Sequence, residues 1–153
     1  MSYFADHYPE FSWPLGDPGF RDAQMAAIQS VAGHFFTSEE PAIVVMPTGA
    51  GKTIVATALA FALRAKRVLV LTPSRLVREQ IAEKFSTLVD LQAIGALPIM
   101  IAKPTVKTIA QRIQHAADWE QMRDADVVVA TVSSVSGLRN AVPDAPADLL
   151  QAN

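Results

Sequence analysis

Apolar and polar positions along this chain change their period several times, and the changes mark out its elements. Over residues 22–36, Met25, Ile28, Val31, Ala32 and Phe35 recur at three- and four-residue steps, which predicts an amphipathic helix. The run Ala-Ile-Val-Val-Met at 42–46 is apolar and β-branched without alternation, the pattern of a strand buried on both faces of a parallel sheet. An alanine- and leucine-rich stretch at 52–65 reads as a helix with basic residues at its C-terminus. Strand and helix then repeat at 67–71 and 75–88, where Leu76, Ile81 and Phe85 are apolar.

Beyond this point the pattern is weaker. Residues 94–101 suggest a short or edge strand interrupted by Gly95 and Pro98. Ile109 and Ile113 predict a mostly helical 105–122, residues 126–130 a further strand, and 131–136 a loop opening into a short turn or helix. Before residue 20, Pro9, Pro14, Pro18 and Gly16 predict an irregular lead-in, 1–19, whose aromatic residues pack on the edge of a domain spanning 20–153. This order predicts an α/β fold of βαβ units with right-handed crossovers.

Composition narrows the classes. A chain of 153 residues and 16.5 kDa accommodates one hydrophobic core. With 13 Lys+Arg against 15 Asp+Glu, the net charge of -2 gives no global attraction for a polyanion, so nucleic-acid binding would rest on local patches. The absence of cysteine excludes disulfides, zinc-thiolate sites and cysteine nucleophiles. An N-terminus without a basic stretch and apolar run, and no apolar segment long enough for a bilayer, predict a cytoplasmic protein with no membrane partner.

The chemistry centres on Met-Pro-Thr-Gly-Ala-Gly-Lys-Thr at 46–53. Between a strand and a helix, Pro47, Thr48, Gly49, Ala50 and Gly51 form a loop whose N–H groups can cradle nucleotide phosphates. Lys52 is placed to reach the β/γ-phosphates, and the Thr53 hydroxyl to ligate Mg²⁺. The general pattern has glycine where this chain has Met46. Hydrolysis also calls for a carboxylate at a strand end. Asp124 and Asp126 precede their strand, and Asp144 and Asp148 fall in a Pro/Ala segment.

Ahead of the loop, Gln24 has an amide suited to adenine N6 and N7, or it is simply a helix glutamine beside a core-facing Phe20. After the second strand, Thr72, Pro73, Ser74 and Arg75 offer hydroxyls, helix N–H groups and a guanidinium to a phosphodiester, or Ser74 is only an N-cap. Thr131 and its neighbouring serines make a similar strand end. Lys103, Lys107, Arg112 and His115 form a scatter of basic residues around the expected third helix that either touch nucleic acid or simply face solvent, and Trp119 reads as packing.

Together these elements resemble the first RecA-like domain of a superfamily 2 helicase or translocase, in the DEAD/DEAH-like group of type III restriction enzyme subunits. The resemblance implies a P-loop NTPase with a RecA-like parallel sheet and flanking helices, incomplete at the C-terminus. It assigns Arg21 and Gln24 to adenine reading, 47–53 to ATP and Mg²⁺, and Thr72, Pro73, Ser74, Arg75 and Thr131 to the nucleic-acid backbone. The last of these motifs usually reads Thr-Pro where this chain has Thr131 and Val132.

The family's next element would be a strand ending in Asp-Glu, followed by a second RecA-like domain with an arginine finger. The resemblance therefore implies the N-terminal part of an ATP hydrolase acting on DNA, or alternatively RNA, whose partners are its own C-terminal half and a nuclease or other defence or repair protein. By itself such a fragment would be poorly stable and inactive. An ATPase acting on something other than nucleic acid, and a degenerate nucleotide-binding or docking domain, are the other readings.

Overall fold

The computed structural model describes residues 2–113 and 120–135, and their contacts group into two compact units. The first draws on Met1–Ala65 and Leu88–Ala102, the second on Lys66–Thr87 and Lys103–Asn153. The fold is an α/β one, and the strands among the described residues lie in the second unit.

In the first unit, helix α1 (Tyr3–Asp6) and a 3₁₀ turn (Tyr8–Glu10) stand where Pro and Gly predict irregular chain. They exist because their aromatic side chains have somewhere to go. Phe4, Phe20 and Phe61 are fully buried, with Phe4 edge-on to Phe61 at 5.0 Å and Phe11 4.9 Å from the same ring. Helix α2 (Asp22–Thr37) packs on α3 (Lys52–Ala62) and buries Met25, Ile28 and Val31, the face its periodicity predicts.

The region 94–101 contains no strand. A short helix, Val89–Ala93, ends there in a Schellman motif. Gly95 takes φ +75°, its N–H donates to the Gln92 carbonyl at 3.0 Å, and the Ala96 N–H donates to the Leu91 carbonyl at 2.8 Å. The glycine that interrupts a strand pattern is therefore a helix stop.

Residues 42–46 depart from the predicted strand. They pair with nothing among the described residues, and Ile43 and Val45 are 90% and 89% exposed. A strand is defined by a neighbour for its N–H and C=O groups, and an apolar β-branched sequence does not supply one by itself.

The second unit holds strands β1 (Val68–Thr72), β2 (Val106–Ile109) and β3 (Val127–Thr131), all parallel in the order β1-β3-β2. Central β3 is buried at every residue, and Val129 aligns with Val70 on one side and Thr108 on the other. Helix α4 (Arg75–Thr87) packs against the sheet. Ile109, Ile113, Ala125, Val128 and Ala130 form an apolar cluster, joined by Met122 and Val135.

Strand β2 replaces the beginning of the helix expected over 105–122. Thr105, Val106, Thr108 and Ile109 are β-branched and favour the extended chain. Both Ile109 and Ile113 are buried, but in the cluster on the sheet rather than along one helix stripe. Residues 114–119, with His115 and Trp119, lie outside the described residues, as do Asp144 and Asp148. Among the described residues no helix is long and apolar enough to cross a membrane.

Candidate functional site

The phosphate loop is a turn closed by the Ala50 N–H donating to the Pro47 carbonyl at 3.2 Å. Gly49 and Gly51 have φ +79° and +82°, the left-handed region in which any Cβ is strained. At Gly51 a Cβ would also fall on Gln24 Nε2. Gly51 caps α3, so the N–H groups of that helix's first turn have no intrahelical acceptor and no acidic side chain competes for them. Lys52 is exposed, and its Nζ donates to the Pro47 carbonyl at 2.9 Å, arching over the loop. Thr53 is partly exposed, and its hydroxyl makes no hydrogen bond among the described residues.

Gln24 holds this loop to α2. It is the N3 residue of α2, and its Oε1 accepts the Arg21 N–H at 3.0 Å, one half of a capping box. Its Nε2 donates to the Ala50 carbonyl at 2.9 Å. Gln24 as a whole is 5% exposed, and each end of its amide keeps one unused valence, an N–H and a lone pair. Arg21 itself is exposed at the helix start.

The second site lies at the carboxyl ends of the three strands. In open parallel sheets this edge is where ligands bind, because the strands stop level and the following loops diverge. The register Thr72 to Thr131 and Ile109 to Ala130 brings those ends together. They enclose a pocket of about 480 Å³ lined by 73–75, by 110–112 and by Thr131, Ser133 and Ser134.

Of the residues expected to touch nucleic acid, Pro73, Ser74, Arg75 and Thr131 are on this wall. Thr72 is not among them. It is 3% exposed, and its hydroxyl donates into the fold, 3.2 Å from both the Ala130 and Ser74 carbonyls. Ser74 caps α4, its Oγ accepting the Val77 N–H at 3.4 Å. Thr131 Oγ1 lies 2.7 Å from Ser134 Oγ and 3.0 Å from Ser133 Oγ, so the hydroxyls form a local network.

Two residues here, Gln111 and Arg78, carry no signal in the sequence, and a third, Arg112, carries only a weak one. Gln111 and Arg112 line the pocket only because β2 ends where it does, and β2 was hidden by a helix-like isoleucine spacing. Arg78, 5% exposed within α4, donates from Nη1 to the Ile109 carbonyl at 2.8 Å and from Nε and Nη2 to Glu79 Oε1 at 3.1 and 2.6 Å. Its position on an apparently polar helix gave no sign of burial. Among the described residues no carboxylate occupies the carboxyl end of a strand.

Residues 17–148 match the family model described as "Type III restriction enzyme, res subunit". The chain is also similar in structure to a hypothetical ATP-dependent RNA helicase from Sulfolobus tokodaii. That similarity has a TM-score of 0.51 and 22% identity, and covers 91% of this chain and 36% of the other. At that identity the likeness concerns the fold alone. The comparison with curated proteins finds no match.

Proposed function

The chain belongs to the type III restriction enzyme Res-subunit family and is a superfamily 2 helicase-like RecA domain; from that premise we propose that it binds ATP for a motor that moves on or separates strands of DNA. Family membership implies nucleotide binding and a nucleic-acid context in general. The finer reading rests chiefly on one observation, a glycine-built loop at the start of α3 that carries Lys52 and an uncommitted Thr53 hydroxyl.

In this reading the N–H groups of 49–53 and the Lys52 ammonium take the β- and γ-phosphates. Phosphate draws Lys52 away from the Pro47 carbonyl, to which its Nζ now donates. The Thr53 hydroxyl would give Mg²⁺ one oxygen ligand, and the ion would supply charge neutralisation to bound phosphates. Gln24 offers its remaining N–H and lone pair to adenine while keeping the loop in place. Pro73, Ser74, Arg75 and Thr131 face the polymer backbone, and Thr72 supports them from inside. The hydrolytic carboxylate, a second RecA-like domain, a nuclease or other defence partner, and a cytoplasmic location belong to the same proposal.

The test is ATP turnover by the full-length protein with and without single-stranded DNA and RNA, alongside Lys52→Ala. Stimulation by DNA, abolished in K52A, is the expected result. Stimulation by RNA alone would move the substrate to RNA, and a rate unaffected by K52A would remove the ATPase reading. Gln24→Ala gives a finer test in nucleotide-binding titrations. Reading of adenine predicts that ATP affinity falls more than GTP affinity, whereas an equal fall for both assigns Gln24 to loop support only.

A further inference from the structure

We infer that Arg112, on the loop after β2, is a second phosphate ligand of the strand-end pocket, held in place by the buried guanidinium of Arg78. The inference deepens the proposed action on nucleic acid and rests on it. Arg75 and Arg112 both line the pocket, both are exposed, and neither makes a hydrogen bond or ion pair among the described residues. No carboxylate lines the same wall. A chain of net charge -2 thus sets two uncommitted guanidiniums around one cavity of about 480 Å³, a volume in the range of ligand sites. Guanidinium is the side chain best matched to a phosphate diester, because its planar fork presents paired N–H donors.

The loop that carries Arg112 is fixed at its root. Arg78 donates to the carbonyl of Ile109, the last residue of β2, three residues ahead of Arg112. Burying a guanidinium is costly unless its donors are satisfied, and here Glu79 and that carbonyl accept one hydrogen bond from each of its three nitrogens. The arrangement ties α4, which begins at Arg75, to the strand end that leads to Arg112. Arg78 is accordingly a positioning residue, and the ligand is the phosphodiester backbone of a single strand, with one phosphate at Arg75 and another at Arg112.

The salt dependence of binding tests this directly. Fluorescently labelled single-stranded DNA and RNA of one sequence are titrated with the full-length protein across a range of KCl. Each lost phosphate contact lowers the slope of log affinity against log salt by about 0.7. Arg75→Gln and Arg112→Gln are each expected to lower it by about 0.7, and the double variant by about 1.4.

Arg78→Met is expected to reproduce the Arg112→Gln slope, with no further change when the two are combined, and Arg78→Lys to restore part of it. Affinity for a fluorescent ATP analogue should be unchanged in Arg112→Gln. If Arg75→Gln lowers the slope and Arg112→Gln does not, the inference is overturned and the motor reading stands. If Arg112→Gln lowers the slope but adding Arg78→Met lowers it again, the positioning role is overturned. If the unmodified protein binds neither polymer, the reading beneath both falls.

Discussion

Residues 42–46 and strand Val127–Thr131 have nearly the same chemistry and opposite fates. Both are short, uncharged and rich in β-branched side chains. The second is buried at every residue with a parallel neighbour on each side, while the first leaves Ile43 and Val45 about nine-tenths exposed and pairs with nothing among the described residues. Composition therefore sets the capacity to be a strand, and the ladder of neighbours decides whether the capacity is used. What each run carries differs accordingly. The buried run ends at a pocket assembled by register from three strand ends, whereas the exposed run leads into a loop whose shape comes from its own glycines and from Gln24.

The sharpest way to break this comparison is to place the same charge in both runs. Val129→Asp puts a carboxylate in a fully buried, doubly paired position, and should cost about 4 kcal/mol or more, enough to abolish cooperative unfolding. Val45→Asp should stay within about 0.5 kcal/mol of the parent, as exposed substitutions do. Urea denaturation followed by tryptophan fluorescence reads both. Equal costs would mean that 42–46 is buried in solution and that the contrast is false.

Legibility in the sequence follows the same division. Helices α2, α3 and α4 are readable from helical composition and spacing sustained over several turns, and β1 and β3 from uninterrupted apolar runs with no helical spacing. The phosphate loop was readable because its chemistry is local, with every required atom within 46–53. Strand β2 was not, since its four residues are too few to establish a period and Ile109 and Ile113 mimic a helix. A helix over 105–122 would give no register that sets Gln111 and Arg112 beside Arg75, whereas the end of β2 puts all three on one wall. Thr72 is expected near the nucleic-acid backbone because a strand-end hydroxyl beside Arg75 suits a phosphodiester, and the pairing of β1 with β3 sets that hydroxyl against the Ala130 carbonyl.

Next in size is the loop after the exposed run. Gly51→Ala forces a side chain into left-handed backbone at about 1–2 kcal/mol and onto the Gln24 amide, so it should lower affinity for a fluorescent ATP analogue at least tenfold. Gly49→Ala carries the same backbone strain but meets open space, and its loss should be smaller. If the two variants are indistinguishable, the contact between Gln24 and the loop contributes nothing, and this site depends on backbone strain alone.

Thr72→Val sharpens the other side of the comparison. Removing a buried hydroxyl that donates to the Ala130 and Ser74 carbonyls should destabilise the fold by about 1 kcal/mol in urea denaturation. The affinity for a single strand at fixed salt should be unchanged, because Thr72 is absent from the pocket wall. An affinity lowered several-fold with the salt slope unchanged would instead make Thr72 a direct backbone contact, since a neutral hydroxyl displaces no counterion.

The smallest effect concerns the pairing that gives β3 its neighbour. Lys107 of β2 donates from Nζ to Asp124 Oδ1 at 2.6 Å and to the Gln121 carbonyl, just ahead of β3. That hydrogen bond, with a backbone hydrogen bond and the lysine charge, holds the Asp124 carboxyl below the ordinary aspartate value. A depressed carboxyl contributes its stability above the unfolded-state pKa of about 3.9 and loses it as pH falls through the folded value. Lys107→Met should return the Asp124 pKa upward, as read by NMR titration of its carboxyl, with little change in stability at neutral pH because the pair is exposed and screened. An Asp124 pKa unmoved by that substitution would show that the backbone hydrogen bond alone sets it, and that the two strands are joined without help from this ion pair.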